Sequence, residues 1–351
     1  MIQFDQVSFK SLALHRVGNK IREEGVLISP DLYSLADEQL RTLLMDYFLM
    51  PFKHDEYFRF THDTDLRLNE LFAYCSDIFA SRSQFYDKSV AIAKHLYQHS
   101  SHPKVQSGEL YVAYFADCQV EDELTDAIGI FKSENKDLYL KPSENTDGVA
   151  LSCERGINIK KLDKGCLVFN TSAEDGFRVL IIDKTGKTPV EGQAQYWRDD
   201  FLRLERVQDN AFVTQNALQM CQDFCETTFL GETQTPEQIV FMSKAVNYFT
   251  QHENFDIDEF SQEIFDDAQQ IEQFKEFKEE YQAQMGVDQK PEFRISKPTV
   301  KAMKRKFKSL IQLDTSIDIR LKSEITEQYI ERGYDEARQM CFYKVYFREE
   351  L

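Results

Sequence analysis

Residues 109–134 read "ELYVAYFADCQVEDELTDAIGIFKSE", two apolar runs joined by a polar, acid-rich connection. Runs of this length, rich in β-branched and aromatic residues and bounded by turn formers, read as strands. Their closeness in sequence suits a hairpin, and hence an antiparallel pair. The same texture continues through "DLYLKP" (137–142), "GVALSCERGINI" (148–159), "GCLVFNTS" (165–172) and "FRVLIIDK" (177–184), with Gly, Asn, Asp and Lys between the runs. A largely antiparallel sheet is therefore expected from residue 108 onward.

Upstream, "QVSFKSLALHRVGNK" (6–20) and "EGVLIS" (24–29) read as a strand, a turn at Gly18 and Asn19, and a second strand. The period then changes. Leu40, Leu43, Leu44, Tyr47 and Phe48 recur at helical spacing until Pro51. Leu68, Leu71, Phe72, Cys75 and Phe79 form a second stripe, and Tyr86, Val90, Ala93, Leu96 and Tyr97 a third. Stripes at three- and four-residue intervals are core faces of helices. Helices grouped before strands, rather than alternating with them, give an α+β class. The polar stretch "TGKTPVEG" (185–192) closes the unit, so a first domain is expected over 1–190 and a second over 191–351.

The second domain reads as mainly helical. "QYWRDDFLRL" (195–204) and "FVTQNALQMCQDFCETTF" (212–229) carry apolar residues at helical spacing, and Thr235 with Pro236 opens another helix. Residues 256–282 predict one long or broken acidic helix with Phe260, Ile264, Ala268, Ile271, Phe274 and Tyr281 on one face. The chain ends in a small β unit, with "SIDIRLKS" (316–323) and "QMCFYKVYFRE" (339–349) as strands. Trp197 is expected to anchor the domain junction.

Charge singles out one stretch. The 351 residues carry a formal net charge of -18 at a pI near 4.9, yet "KPTVKAMKRKFKSL" (297–310) holds six Lys or Arg and no acid. Ser296 suits a cap and Pro298 a first turn, which predicts a helix whose Val300, Met303, Phe307 and Leu310 dock while Lys297, Lys301, Lys304, Arg305 and Lys308 face outward. Arg294 and Lys306 extend the strip. Cations spaced along a helix can neutralise successive phosphates; four such contacts would give a log-log salt slope of about -3.6. Lysine meets phosphate as a point charge, so this binding would tolerate any sequence. The acidic stretch between Glu253 and Glu280 is the alternative, internal mate for these cations.

Other constellations carry less. His95, His99 and His102 have helical spacing for zinc but no matching Glu or Cys, and His54–Asp55 and His62–Asp63 are adjacent pairs in a polar loop. "TGKT" (185–188) lacks the first glycine of a phosphate loop and is followed by Pro189. Cys221 and Cys225 are four apart, which suits one apolar helix face rather than a redox pair. All seven cysteines are expected as small buried hydrophobes in a reducing compartment. No catalytic motif, metal site, cofactor or small-molecule substrate is indicated. No apolar run is long enough to span a membrane, and a cytoplasmic location is expected.

In order and texture the chain resembles the bacterial nucleoid-associated protein family sometimes called NdpA-like. The pieces that carry the resemblance are "FKSLALHRVGNK" (9–20), "SGELYVAYFADCQVEDELTDAIGIFKSE" (107–134), "LSCERGINIKKLDKGCLVFN" (151–170) and "YWRDDFLRLERVQDNAFVTQNALQMCQDFC" (196–225). It implies residence on the nucleoid, association with DNA and no catalytic residues; it supplies no binding motif. The resulting expectation is a non-catalytic, largely sequence-independent DNA-binding protein that works through the basic helix. The alternative is a protein-interaction or oligomeric scaffold without direct DNA binding.

Overall fold

Why residues 110–116 and 127–131 are apolar at every position becomes clear from the sheet they build. The computed structural model describes residues 4, 6–52, 56–120, 123–145, 148–184, 196–228, 236–265, 267–285, 291–304, 310–312, 314–315, 317–320 and 330–349. Strands β4 (Gly108–Val120) and β5 (Glu123–Ser133) pair antiparallel, Val112 opposite Ile130 and Phe115 opposite Ala127. They lie inside an eight-stranded antiparallel sheet with β1 (Ser8–Val17), β2 (Val26–Ile28), β3 (Phe58–Phe60), β8 (Lys164–Phe169), β9 (Arg178–Asp183) and β10 (Leu204–Arg206). The spatial order is β10-β3-β9-β8-β5-β4-β1-β2. The remaining strands of this unit, β6 (Asp137–Asn145) and β7 (Gly148–Gly156), form a separate two-stranded ribbon.

Both faces of the eight-stranded sheet are covered, so the usual polar alternation of an antiparallel sheet is lost at its centre. On one face Val112, Tyr114, Ile128 and Ile130 pack with residues of α2 (Glu70–Ala80) and α3 (Phe85–His99), including Leu71, Ile78, Ile92 and Leu96. On the other, Phe115 and Phe131 meet Tyr47 and Phe48 of α1 (Glu38–Leu49). Phe48 stacks on Phe131 with ring centroids 4.4 Å apart. Gly129 makes this possible, since a Cβ there would lie 2.4 Å from the Phe131 ring. Asp37 and Asn69 cap α1 and α2 by accepting from the Leu40 and Phe72 amides, each at 3.0 Å.

The first compact unit runs to Val207 and the second from Gln208. Residues 196–206 therefore lie in the first unit, although their sequence reads as the start of the second. The reason is long-range: Tyr196–Leu202 forms a wide helical turn rather than a regular helix, and Leu204 then pairs with Phe60. Trp197 is fully buried in the first core, 4.9 Å from Phe201, and anchors that core rather than a junction.

In the second unit, α4 (Asn210–Thr228), α5 (Pro236–Gln251), α6 (Ile257–Ile264), α7 (Ala268–Met285) and α8 (Lys297–Lys304) share an aromatic core. Phe224, Phe241, Phe260, Phe265 and Phe274 pack there edge-on or tilted, apart from the stacked Phe241–Phe265 pair, with centroid separations of 5.0–6.4 Å. The acidic stretch is broken into α6 and α7. Two short strands missed by periodicity, β11 (Asn254–Asp256) and β12 (Glu292–Arg294), pair through Phe255 and Phe293. The C-terminal β unit consists of two hairpins, β13 (Leu310–Gln312) with β14 (Asp318–Arg320) and β15 (Ile330–Asp335) with β16 (Met340–Val345). Leu310, expected on a helical stripe, begins a strand. Of the cysteines, Cys153 and Cys341 are exposed and the other five buried.

One buried polar cluster stands out in the first unit. Lys132 and Lys164 lie directly opposite each other on β5 and β8, both without solvent exposure. Each has its own acid: Lys132 Nζ meets Glu134 at 2.7 Å and Lys164 Nζ meets Asp183 at 2.8 Å. Lys132 also donates to the Gln106 carbonyl at 2.9 Å, and the Tyr196 hydroxyl donates to Glu134 at 3.1 Å. Burial holds the Lys132 ammonium below its ordinary pKa, against the pull of Glu134. Removing one partner of a buried pair leaves the other charge dry and unpaired. Lys132→Ala is therefore expected to cost about 3–5 kcal/mol in denaturant unfolding, far more than Lys141→Ala in the exposed Lys141–Glu154 pair.

Histidines add a pH dependence. His15, His95 and His99 all have lowered pKa values, in each case chiefly through burial. Because the unfolded chain takes up these protons first, stability is lost as pH falls from about 6.5 towards the depressed folded values. A lower Tm is expected at pH 5.5 than at pH 7.5, with a smaller difference in the His95→Gln/His99→Gln variant.

Candidate nucleic-acid interface

Helix α8 is delivered by the β11–β12 pairing. Below that ladder the Ile295 amide donates to the Glu253 carbonyl at 2.8 Å, which brings the following residues to the C-terminal end of α5. The Ser296 amide then donates to Thr214 Oγ1 of α4 at 3.0 Å, and the Ser296 carbonyl accepts from Val300 at 3.0 Å as the first helical bond. Val300 and Met303 bury into the aromatic core of the second unit. The helix is thus fixed by one apolar edge, as its three-residue spacing requires.

The cations divide by what their ammonium groups touch. Lys297 Nζ is taken up by the end of α5: it donates to the Thr250 carbonyl at 3.0 Å, to that of Phe249 at 3.4 Å, and to that of His252. The last carbonyls of a helix are unpaired and carry its negative dipole end, so Lys297 is a capping cation. The Glu253 carboxylate lies 4.0 Å from it. Lys301 and Lys304, one turn apart, are exposed, as is Arg294 at the end of β12. None of these three has an ion-pair partner among the described residues. Arg305, Lys306, Lys308 and Phe307 lie outside the described residues.

Part of the acidic stretch is occupied elsewhere. Asp258 pairs with Lys275, and His252 Nε2 lies 3.5 Å from Glu263 and 3.9 Å from Glu259. Among the described residues, Lys297–Glu253 is the one ion pair between this stretch and the basic segment within 4 Å. Lys297's capping role was hidden from local sequence because it depends on two three-residue strands whose partners are about forty residues apart.

The histidines sit in packing environments. His95 Nε2 is 3.2 Å from the Phe201 carbonyl and its ring is 4.5 Å from that of His99, while His102 accepts from the Lys104 amide at 3.2 Å. His62 accepts from the Thr64 amide at 3.3 Å; His54, Asp55 and "TGKT" lie outside the described residues. Among the described residues no group of three or more His, Cys, Asp or Glu is arranged to hold a metal ion. No helix among them is long and apolar enough to cross a membrane.

No curated protein matches the chain. The family model described as nucleoid-associated protein YejK matches residues 13–339, nearly the whole length and both compact units. The sheet from Ala13 onward, the helices of the second unit and the basic helix fall within that match, and the chain belongs to the nucleoid-associated protein YejK family.

Proposed function

We propose that this protein is a non-catalytic DNA-associated protein of the bacterial nucleoid that meets the phosphate backbone, without reading sequence, through the cations of α8. The observation that carries this reading is the exposure of Lys301 and Lys304, one turn apart and without ion-pair partners among the described residues, on a chain of net charge -18. A general negative field repels DNA, so contact has to be made where cations are gathered. In sequence Arg294, Arg305, Lys306 and Lys308 flank these two lysines and are included in the proposed contact set. Lys297 belongs to the segment but supports α5, and its contribution to DNA affinity is correspondingly smaller.

Fluorescence anisotropy with a random-sequence duplex tests this. Lys301→Glu/Lys304→Glu is expected to weaken binding at least tenfold and to make the log-log salt slope shallower by about 1.8, two contacts at roughly 0.9 each. Unchanged affinity would reject the site. Lys297→Met should behave differently: a loss of about 1 kcal/mol in stability, in the range for a charge at a helix end, with the salt slope altered by less than one contact.

A second reading, an interaction or oligomeric scaffold, is favoured by a separate observation: an exposed apolar face on β6 and β7.

A further inference from the structure

The ribbon of β6 and β7 is amphipathic in a direction that solvent does not explain. Directly paired residues of an antiparallel ribbon share a face. Register sets Leu138 opposite Arg155, Leu140 opposite Cys153, Pro142 opposite Leu151 and Glu144 opposite Val149. One face therefore consists of Leu138, Leu140, Pro142, Val149, Leu151 and Cys153, with Arg155 at its base and Glu144 near its tip. Leu138, Leu140, Val149 and Leu151 remain 64–78% exposed.

The other face is polar and satisfied. The Tyr139 hydroxyl donates to Glu154 at 2.9 Å, Lys141 Nζ meets the same carboxylate at 3.2 Å, and Ser152 donates to the Lys141 carbonyl at 3.3 Å. A two-stranded ribbon is marginal in water by itself, and contiguous exposed apolar surface marks an interaction site. The ribbon's described charges are Lys141 and Arg155 against Asp137, Glu144 and Glu154. That balance lacks the cation excess a nucleic-acid arm needs and points to a protein partner.

We infer that the apolar face of β6–β7 is a self-association surface, on which the ribbon of a second copy of this chain packs face to face and antiparallel. The charges at its two ends specify the partner. An antiparallel two-fold arrangement sets the Arg155 end of each ribbon over the Glu144 end of its mate, whereas a parallel one would place like charges together. One self-complementary patch on both copies is what a two-fold interface requires. The strip is about 20 Å long, six steps of ~3.4 Å, and two strands wide. It is small beside the roughly 800 Å² per partner of a standard interface, so it gives an exchanging dimer rather than an obligate one.

Sedimentation equilibrium of the full chain from about 5 to 500 µM tests this independently of DNA binding. The wild type should rise from 41.2 kDa towards twice that mass. Leu140→Asp/Leu151→Asp should weaken association at least tenfold, with circular dichroism confirming the fold. Glu144→Arg and Arg155→Glu should each weaken it, while the double variant Glu144→Arg/Arg155→Glu recovers the wild-type constant and a mixture of the two single variants forms a heterodimer more tightly than either self-associates. A wild type monomeric throughout, ribbon variants that associate like wild type, or a double exchange as weak as the singles would overturn the inference. So would a Leu140/Leu151 variant that loses DNA binding while the wild type is monomeric, because the ribbon would then be a nucleic-acid arm.

Discussion

The first unit turns on a dry electrostatic arrangement at one end of its sheet. Lys132 and Lys164 face each other across β5 and β8, a placement that would be repulsive if the two ammonium groups shared one environment. Glu134 and Asp183 give each its own counter-charge, and the Tyr196 hydroxyl closes on Glu134. The Lys164 ammonium also lies 5.1 Å from the centre of the Tyr196 ring. Lys132 finds its acid two residues along its own segment and Lys164 finds its acid on β9, while Tyr196 joins the two pairs. A register slip of β5 against β8 would leave each lysine with its own acid but would draw Glu134 away from the Tyr196 hydroxyl. The Tyr196–Glu134 bond thus favours one alignment of β5 with β8, and it ties the chain back to the sheet just before the first unit ends.

This arrangement also shows what a single sequence reveals and what it hides. The hairpin logic of residues 109–134, the three early helices and the α+β class were legible because each depends on local spacing: apolar runs near a turn, or stripes every three to four residues. Lys132 and Lys164 were not, since a lysine at the edge of an apolar run reads as the start of a turn. Asp183 is nineteen residues from Lys164, and Tyr196 is sixty-two from Glu134. The strands β10, β11 and β12 were hidden for the same reason. Three residues cannot display a period, and their pairing is decided by partners far along the chain.

The candidate interface was legible in part. Composition located the basic segment, and the three-residue spacing of Val300 and Met303 gave its buried edge. What composition cannot do is rank cations. Lys297 and Lys301 sit one turn apart and look interchangeable in sequence, yet the first is spent on the carbonyls that end α5 while the second is exposed. The difference arises because β11 and β12 steer the start of α8 onto the end of α5.

The same distinction separates the two exposed features of the molecule. A helix face of lysines is soluble without a partner, because hydrated ammonium groups in water lose nothing; its exposure alone says little, and the acidity of the rest of the chain is what gives it meaning. A ribbon face of Leu138, Leu140, Val149 and Leu151 is the reverse case, since apolar area left in water costs about 25 cal/mol for each Å². Its polar side, meanwhile, already has Tyr139, Lys141 and Glu154 bonded to one another. Polar and apolar residues have been sorted to opposite sides of a ribbon whose two sides both meet solvent, and burial within the described fold does not require that sorting. The pattern that makes β4 and β5 apolar on both sides is answered by helices on both sides; the pattern on β6 and β7 is answered only when another surface closes over one of them.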